Sequence, residues 1–503
     1  MMSTLWEAFR RSLMLNTTRP ALTVDDTTWT YRDLAVAVAD AAHCLRDAGA
    51  RPRDRVVLLL ENTASYPVYD LAIMAIGAVK IPLNSMLTAA DIGDIVRRTE
   101  PTVAVVSPAL DHLATQIDPA CRQIDGSVLP PGSAWIEPPA IGAVGPDDLA
   151  FVGFTGGTTG KPKGIVHHQS PMVLNMFAHI MEAGIGRDEH MLLTTPLPHA
   201  AGFLGAAGLL RGAHVQVAAS FDAATVLDTM DRDGITWTFA VPTMIYRMLD
   251  VAVATGTRPS ALRTIQYGAA PISPERLRQA MDVFGPVFQQ LYAQTECPNF
   301  ATVLSKQDHV RALDEPALLS SCGKATLMCE VAIIDDDGNE LGPGEVGEVA
   351  LDSPYVMTAY WQDPERYAER FAGRWMRTGD VGRMDAEGFV TLVDRANDMI
   401  VSGGMNVYSV EVENVISAYP DVAQVAVVGV PHDDWGEAVH AVVVARDGLD
   451  REAFGAYCRD NLAAYKRPKS VDYVDDLPVT VYGKVDKKAL RAPFWADTER
   501  NVG

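Results

Sequence analysis

Short, continuous runs of apolar residues alternate with helix-like segments along the first 395 residues, and this alternation restricts the fold more than any other feature. The strand-like runs occupy residues 55–60, 102–106, 215–218 and 236–241, and the helical patterns include residues 31–48 and 274–284. Strands that alternate with helices form βαβ units and largely parallel sheets. Continuously apolar strands are typical of sheets covered on both faces. The sequence therefore predicts an α/β fold.

Two changes of pattern divide the chain further. Residues 340–393 contain short strands separated by Gly and Asp turns, which predicts a small β-rich subdomain. The αβ pattern then restarts, with helices predicted at 410–419 and 451–464 and strands at 422–430 and 439–445. We therefore expect an N-terminal domain of residues 1–395 and a small C-terminal α+β domain of residues 396–503.

Composition excludes several classes of partner. A chain of 503 residues is too long for one ordinary core, and its net charge of −22 repels nucleic acid and anionic membranes. Lys80 interrupts the most apolar stretch, residues 72–83, so we expect no integral membrane segment. The six cysteines form no CxxC pair, which argues against a zinc site and favours a cytoplasmic location. The Pro- and Gly-rich residues 123–147 are expected to form a surface loop.

A glycine-rich segment, GFTGGTTGKPKG at residues 153–164, follows a predicted strand. Consecutive backbone N–H groups in such a turn form a concave anion site. The chain has 32 arginines but only ten lysines, and seven of those lysines lie in this segment or between residues 466 and 488. Because lysine is a compact point charge for phosphate, the segment predicts phosphate binding.

This segment is not a Walker A loop. Relative to Lys161, Thr155 stands where that motif requires glycine, and Pro162 stands where it requires Ser or Thr. The hydroxyl that would bind magnesium in a P-loop is therefore missing.

Residues 155–164 instead match the pattern [ST][SG]G[ST]TGxPKG of the adenylate-forming superfamily, which includes acyl- and aryl-CoA ligases, luciferases and peptide-synthetase adenylation domains. Further segments resemble that superfamily's motifs in the same order, namely PLPHAAG at 196–202, YGAAP at 267–271, YAQTE at 292–296, RTGD at 377–380, DR at 394–395, SGGMNVY at 402–408 and GK at 483–484. The resemblance implies a large N-terminal domain and a small, mobile C-terminal domain.

The resemblance also implies which residues bind the nucleotide. The residues expected to contact ATP or AMP are Thr155, Gly156, Gly157, Thr158, Thr159, Lys163, Gly268, Ala269, Ala270, Tyr292, Thr295, Asp380 and Arg395. Asp380 would accept the ribose hydroxyls and Arg395 would brace the sugar. Glu296 would bind Mg²⁺, a hard cation that takes oxygen ligands.

The chemistry of adenylation accounts for these residue types. A carboxylate that attacks the α-phosphate of ATP brings one anion onto another, so positive charge must be concentrated there. The resemblance assigns catalytic roles to Lys484, Thr295, Glu296 and His199, with Lys484 holding the carboxylate and α-phosphate oxygens together.

The remaining implied roles concern the acyl group and the thiol. The expected acid pocket consists of His199, as a gate, with Phe203, Tyr246, Ala293 and Cys297, and its apolar character favours a hydrophobic carboxylic acid. The expected CoA-binding loop consists of Ser402, Gly403 and Gly404, with Lys466 and Lys469 placed to attract CoA phosphates. Asn397 is the expected hinge between the domains.

Three positions depart from the superfamily pattern. Ala293 replaces a glycine that lines the acyl pocket, and its methyl group is expected to narrow or reshape that pocket. Asn397 carries no charge where Asp or Lys is usual, although asparagine tolerates left-handed backbone. Tyr482 precedes Gly483-Lys484 where Ser or Thr is usual.

The leading hypothesis is an ATP-dependent acyl- or aryl-CoA ligase that uses ATP, Mg²⁺ and CoA. The Gly-Gly-Met-Asn-Val-Tyr loop resembles that of CoA ligases. An acyl-AMP ligase that loads a carrier protein in trans is an alternative, since no carrier domain follows Gly503. A catalytically silent nucleotide-binding protein and a luciferase-like oxidation are further alternatives. The pattern does not identify the acid.

Overall fold

The computed structural model describes residues 2–24, 27–118, 120–127, 144–155, 162–395, 398–402, 405–432, 434–446, 448–479 and 485–495. The helices in these residues are α1 Leu5–Leu15, α2 Tyr31–Asp47, α3 Ser65–Ile76, α4 Ala89–Thr99, α5 Asp111–Ala114, α6 Gln169–Glu182, α7 Ala200–Arg211, α8 Ala223–Arg232, α9 Pro242–Thr255, α10 Pro274–Phe284, α11 Lys306–Arg311, α12 Pro364–Glu369, α13 Ser409–Ser417, α14 Arg451–Asn461 and α15 Lys487–Arg491. Short 3-10 helices lie at Pro108–Leu110, Pro316–Ser320 and Ala492–Phe494.

A nine-stranded sheet forms the first layer. In spatial order its strands are β15 Lys324–Ala325, β14 Cys297–Leu304, β13 Phe288–Gln294, β12 Thr264–Gly268, β11 Trp237–Ala240, β9 His190–Leu193, β10 His214–Val217, β1 Pro20–Val24 and β2 Thr27–Thr30. The strands from β13 to β1 are parallel, and antiparallel strands close both edges.

A seven-stranded sheet forms the second layer. In spatial order its strands are β18 Ala359–Tyr360, β8 Lys163–His168, β7 Leu149–Thr155, β4 Val79–Pro82, β3 Arg55–Leu59, β5 Val103–Val106 and β6 Arg122–Asp125. The strands from β7 to β6 are parallel, whereas β8 and β18 are antiparallel additions at one edge.

Two smaller sheets follow in the chain. The third, antiparallel sheet contains β16 Glu330–Ile334, β17 Val346–Asp352, β20 Trp375–Met384 and β19 Phe371–Ala372, with β21 Val390–Arg395 beside β20. The fourth contains β23 Met405–Val407, β22 Ile400–Ser402, β25 Gly436–Ala445 and β24 Val422–His432, with β26 Ser470–Val474 beside β25.

The largest apolar cluster lies between the first two sheets, where α1, α2, α3, α6 and α7 pack against them. Phe9, Tyr69 and Trp237 are among its fully buried side chains. Burial on this scale is the main source of favourable folding free energy. The cluster therefore fixes the position of the strand ends that hold the site.

Local signals explain where the helices begin and end. Thr30 and Asp33 form a capping box that starts α2, since each side chain accepts a hydrogen bond from the other residue's backbone N–H. At the end of α7, Gly212 adopts a φ of 93°, which glycine allows without steric conflict. The α10 helix begins with Pro274 after the N-cap Ser273.

The predicted α/β fold, with its small C-terminal domain, is confirmed. Each of the four strand-like runs forms a strand within about two residues of its predicted ends, and α10 has the predicted bounds. The 340–393 region is antiparallel, as expected. The boundary after Arg395 stays a prediction, since residues 396–397 lie outside the described part of the chain.

The stretch 72–83 is shared between α3 and β4. Among the described helices, none has both the length and the apolar character that crossing a bilayer requires.

A buried ion pair connects α3 and β4. The Lys80 Nζ lies 2.7 Å from the Asp70 Oδ1, and both residues are less than a tenth exposed. The same ammonium lies 5.6 Å from the ring centroid of Phe203 and 6.0 Å from that of Phe151. Each charge is therefore stabilised mainly by the other, in surroundings that are otherwise apolar.

We predict that Lys80→Met lowers the free energy of the first unfolding transition by about 3–5 kcal/mol, because Asp70 becomes an uncompensated buried charge. The double replacement Asp70→Leu with Lys80→Met should recover most of that loss, since a neutral pair needs no partner. Lys324→Met, at a partly exposed lysine that contacts the Phe389 ring and Glu387, is the control and should change the value by no more than about 1 kcal/mol. Urea denaturation provides the measurement, and equal losses in the single and double variants would contradict the account.

Candidate active site

Three predicted motifs follow strands of the nine-stranded sheet at its carboxyl edge. The segment 196–202 follows β9, Gly268 ends β12, and the YAQTE segment spans the end of β13. In open α/β sheets, ligands bind at the carboxyl ends of the parallel strands. The fold therefore brings separated sequence motifs to one edge.

The glycine-rich segment joins two paired strands. Thr155 at the end of β7 pairs with Lys163 at the start of β8. The predicted ligands Gly156, Gly157, Thr158 and Thr159 lie outside the described residues. Gly153 in β7 lies against Thr295, since a Cβ at Gly153 would come 3.2 Å from the Thr295 Cγ2. The base of the hairpin is thus next to the YAQTE segment.

Lys163 is half-buried and belongs to a group of charged side chains. Burial lowers the pKa of Lys163, and the positive charges of Arg366 and Arg370 lower it further, while Glu296 and Asp363 oppose them. Two arginines from the α12 region therefore add positive potential at the base of the glycine-rich hairpin. An anion beside Lys163 would relieve the repulsion among these cations.

Glu296 is a buried carboxylate between β13 and β14. The Tyr360 hydroxyl donates to the Glu296 Oε1 at 2.9 Å, and the backbone N–H of Met357 donates to the Glu296 carbonyl at 2.7 Å. Burial, followed by the charge of Glu296, raises the pKa of Tyr360, so this hydroxyl stays a donor.

The residues around Glu296 fit a magnesium ion held mainly by substrate. No group of three or more His, Cys, Asp or Glu side chains with the spacing of a metal site occurs in the described ranges. Magnesium usually takes one or two protein carboxylates together with phosphate oxygens and water. A single oriented carboxylate suits that mode of binding.

Thr295 is fixed through its backbone. His167 in β8 is fully buried, and its Nε2 lies 2.9 Å from the Thr295 carbonyl, which makes Nε2 the protonated nitrogen. The imidazole stacks on Phe151 at 4.7 Å between centroids. Its Nδ1 is buried and contacts no acceptor or donor among the described residues. Burial lowers the pKa of His167 to about 4, so the ring is neutral at pH 7.

Asp380 is held by two donors from the YAQTE strand. The Tyr292 hydroxyl and the Gln294 Nε2 each donate to the Asp380 Oδ2 at 2.8 Å. The Asp380 backbone N–H donates to the Thr378 Oγ1 at 3.1 Å. Asp380 is 5% exposed, so hydrogen bonds within the protein, rather than water, satisfy and orient its carboxylate. This buried, oriented carboxylate is the type of group that accepts ribose hydroxyls.

Arg395 pairs with Asp380 in the register of β20 and β21. The backbone thus places the two residues predicted to bind ribose, one acidic and one basic, opposite each other on neighbouring strands. The Arg395 side chain is outside the described atoms, as are Asn397 and Lys484 altogether. Their roles stay predictions.

At the end of β12, the backbone of Gly268 lies close to a neighbouring strand, and the next residue has an unusual conformation. A Cβ at Gly268 would come 2.4 Å from the Leu291 carbonyl, so only glycine fits there. Ala269 adopts a φ of 68°, a left-handed conformation uncommon for alanine. Such strained residues concentrate at functional sites. Ala270 follows, half-buried, in the predicted adenine-binding segment.

His199 and Phe203 lie at the start of α7. His199 precedes the first turn, and its Nε2 forms a 2.8 Å hydrogen bond with the Asn84 side chain. Phe203 packs at 5.3 Å from Phe151. A Cβ at Gly202 would come 2.0 Å from the Leu197 carbonyl, so glycine permits the tight turn that joins His199 to α7. The gate role of His199 stays a prediction.

The other predicted pocket residues differ in their surroundings. Ala293 is half-buried, whereas Cys297 is fully buried within hydrogen-bonding reach of Cys329, which raises the pKa of its thiol. The Tyr246 hydroxyl accepts a hydrogen bond from the Ser273 N–H at 2.7 Å. Tyr246 therefore supports the turn that follows Gly268–Ala270. Its placement in an acid pocket stays a prediction.

Ser402 ends β22 and is buried, with Met405 and Gly436 as its register partners. Gly403 and Gly404 are outside the described residues. The Lys466 ammonium contacts the Glu411 carboxylate, and the Lys469 ammonium lies 4.9 Å from the Trp435 ring centroid. CoA binding by this region stays a prediction.

Several residues of the site were missed from the sequence, namely Asn84, His167, Gln294, Tyr360 and Arg370. Gln294 occupies the variable position of its motif, and Tyr360 lies 64 residues from Glu296. The one available signal in the sequence was that Gln294 is a polar residue, without an assigned role, inside a recognised motif. The other contacts depend on tertiary packing.

The fold and these oriented carboxylates define an adenylate-forming enzyme. Residues 9–361 match the AMP-binding enzyme family, and residues 411–484 match the AMP-binding enzyme C-terminal domain. The chain belongs to this family, and the predicted membership is confirmed.

Similar proteins include the medium/long-chain-fatty-acid–CoA ligase FadD8 of Mycobacterium tuberculosis, which is 39% identical over 80% of this chain and 69% of that protein. Feruloyl-CoA synthase of Amycolatopsis sp. is 35% identical over 93% of this chain and 94% of that protein. Among solved structures, the amide bond synthetase McbA from Marinactinospora thermotolerans has a TM-score of 0.85 at 33% identity, covering 97% of this chain and 100% of that chain.

We predict that His167 makes the chain less stable in acid. Its folded-state pKa of about 4 lies below the unfolded value of about 6.5, so between these pH values the unfolded chain binds more protons. Stability therefore falls as the pH drops from about 6.5 to 4. His167→Gln preserves a donor to Thr295 without titrating, and it should reduce the slope of unfolding free energy against pH by about 1.4 kcal/mol per pH unit. Denaturation at several pH values tests this, and an unchanged slope would contradict it.

Proposed function

We propose that this chain activates a hydrophobic carboxylic acid with ATP to an acyl-adenylate and then transfers the acyl group to the thiol of CoA. The observation that supports this most strongly is the connection between Glu296 and Asp380. Tyr292 and Gln294, on the strand that leads to Glu296, both donate to the Asp380 carboxylate. A group that binds phosphate-associated magnesium and a group that binds ribose are thereby held by one strand.

The first step joins two anions. A carboxylate oxygen of the acid attacks the α-phosphorus of ATP and forms a mixed acyl–phosphate anhydride with AMP. The anhydride bond between the α- and β-phosphates breaks, and pyrophosphate leaves with the electrons of that bond. Lys163, Arg366 and Arg370 supply positive potential where the glycine-rich hairpin begins. Oriented charge of this kind stabilises the transition state more than the separated reactants. Thr295, with its backbone held by His167, contributes a hydroxyl beside Glu296.

Magnesium is the metal that we assign to Glu296. When bound, it offsets the charge of the phosphate oxygens. Within the chain, Tyr360 orients the Glu296 carboxylate through its hydroxyl. Arg395 and Asp380 would bind the ribose, and Lys484 would hold the acid against the α-phosphate.

The second step requires a thiol. The CoA thiol attacks the acyl carbon, AMP departs, and one proton is released. Ser402, Gly403 and Gly404 are the residues that we assign to the CoA arm. Residues 396–503 would rotate about Asn397 between the steps, since Lys484 and the glycine loop must act at one site in turn.

The acid is proposed to be hydrophobic because the residues near the gate are apolar. Phe203 contacts Phe151, and the nearby Lys80 ammonium is already paired with Asp70. A second charged group on the acid would therefore lack a partner beside Phe203. The relatives named above act on fatty and aromatic acids, consistent with this class.

We predict that Lys484→Ala lowers the rate of acyl-adenylate formation on the order of 10²–10³-fold, by analogy with the removal of one charge-stabilising donor. Transfer from preformed acyl-AMP to CoA should change little, because the carboxylate–phosphate junction has already formed. AMP and pyrophosphate release with a panel of fatty and aromatic acids provides the measurement.

Lys488→Ala is the matched control, since Lys488 is exposed on α15 and should retain both rates. Equal losses in both half-reactions of Lys484→Ala would contradict the assigned role. Acid-dependent AMP release that requires a carrier protein or an amine, and not CoA, as the acceptor would contradict the assignment of CoA as the acyl acceptor. Absence of acid-dependent pyrophosphate release in the wild type would contradict adenylation itself.

A further inference from the structure

Arg370, directly after α12, connects two strands of the site. Its Nη2 donates to the Gln294 Oε1 at 3.1 Å and to the Thr378 carbonyl at 2.8 Å. Gln294 ends β13 in the nine-stranded sheet, whereas Thr378 lies in β20 of the third sheet. One guanidinium therefore bridges the two sheets immediately beside Asp380.

Gln294 extends this connection to Asp380, the carboxylate proposed to bind ribose. Its Nε2 donates to the Thr378 carbonyl at 2.7 Å and to the Asp380 Oδ2 at 2.8 Å. The amide thus accepts from Arg370 with its oxygen and donates to Asp380 with its nitrogen. Both the oxygen and the nitrogen of the Gln294 amide therefore form hydrogen bonds.

The direction of these bonds matters because a glutamine amide is reversible. Rotation by half a turn about χ3 exchanges its oxygen and nitrogen, and the terminal torsion of glutamine has little intrinsic preference. In the reversed orientation the Gln294 oxygen would face two acceptors, the Asp380 carboxylate and the Thr378 carbonyl, and its nitrogen would face the Arg370 donor. The Arg370 guanidinium has only donors, so it favours the orientation in which the amide nitrogen faces Asp380.

We propose that Arg370 is a positioning residue for nucleotide binding, which fixes the Gln294 amide so that the Asp380 carboxylate keeps the orientation that accepts ribose hydroxyls. This inference rests on the proposed binding of ATP. Arginine suits the task because its planar fork presents several donors in a rigid arrangement. The Arg370 Nε is buried without an acceptor in the described part of the chain, so the side chain depends on its two Nη2 bonds.

Comparison of ATP with 2′,3′-dideoxy-ATP separates positioning from a general structural role. A residue that acts through Asp380 affects only the nucleotide whose hydroxyls reach that carboxylate. Destabilisation of the fold, or loss of the positive charge that Arg370 contributes beside Lys163, would weaken both nucleotides alike. Equilibrium binding of each nucleotide in the presence of Mg²⁺, without acid or CoA, therefore provides the readout.

For the wild type, removal of both hydroxyls should weaken binding on the order of 10²-fold, since hydrogen bonds to a charged group are strong. Arg370→Met should weaken ATP roughly tenfold and dideoxy-ATP by less than about threefold, so the discrimination falls from about 100-fold to between about ten- and thirtyfold. Arg374→Met is the matched control, because Arg374 pairs with the exposed Glu330 and Asp352. It should retain the discrimination of the wild type.

A second variant tests the path through the amide. Gln294→Met removes the link itself, so adding Arg370→Met to it should reduce the discrimination by less than about twofold further. Independent, multiplicative losses from the two replacements would overturn the inference. Arg370→Lys retains a donor and should recover part of the discrimination.

The outcomes distinguish this inference from the proposed function. A wild type that binds no ATP would contradict the proposed function. A wild type that binds ATP and discriminates against dideoxy-ATP, combined with an Arg370→Met variant that discriminates equally, would overturn the role of Arg370 alone. Equal weakening of both nucleotides in that variant would likewise overturn the positioning role and leave Arg370 to the fold or to the positive potential beside Lys163.

Discussion

The site depends on the buried carboxylate of Asp380 and on the two hydrogen bonds that it accepts from β13. A carboxylate in an apolar interior is unfavourable unless donors surround it. Tyr292 and Gln294 provide those donors from the nine-stranded sheet, whereas Asp380 belongs to the third sheet. Satisfying one carboxylate therefore requires two sheets to meet in a single arrangement, and Glu296 lies two residues beyond Gln294 at the same junction.

The distribution of charge around this junction is opposite to that of the whole protein. The chain has a net charge of −22, yet Lys163, Arg366 and Arg370 act together where the glycine-rich hairpin begins. Burial lowers the pKa of Lys163, and the positive charges of Arg366 and Arg370 lower it further. A polyanion with magnesium would offset the repulsion. The local positive potential thus favours binding of a nucleoside triphosphate to a protein that is otherwise acidic.

The sequence predicted the features that depend on local pattern. Continuous apolar runs predicted β3, β5, β10 and β11 because buried parallel strands have no polar face. Short motifs such as YAQTE and RTGD predicted Tyr292 and Asp380, since their chemistry is restricted to a few consecutive residues. The 340–393 region was recognisable because antiparallel strands are joined by short Gly and Asp turns.

Contacts between distant segments were not predictable in this way. Tyr360 is an ordinary aromatic residue until the fold places its hydroxyl on Glu296, and Arg370 is one of 32 arginines. His167 follows the glycine-rich segment without matching a motif, and only packing shows that it holds the Thr295 carbonyl. These residues act through geometry that two sheets create together, so no periodicity within one segment reveals them.

Transfer of a carboxylate oxygen to AMP is the event that defines adenylation, and isotopic labelling detects it directly. An acid that the chain turns over would be labelled with ¹⁸O at both carboxyl oxygens and incubated with ATP, Mg²⁺ and CoA. If the carboxylate attacks the α-phosphorus, AMP recovered after thioester formation contains one ¹⁸O atom, and pyrophosphate contains none. Unlabelled AMP, or ¹⁸O in phosphate or pyrophosphate, would contradict attack at the α-phosphorus and with it the role assigned to this site.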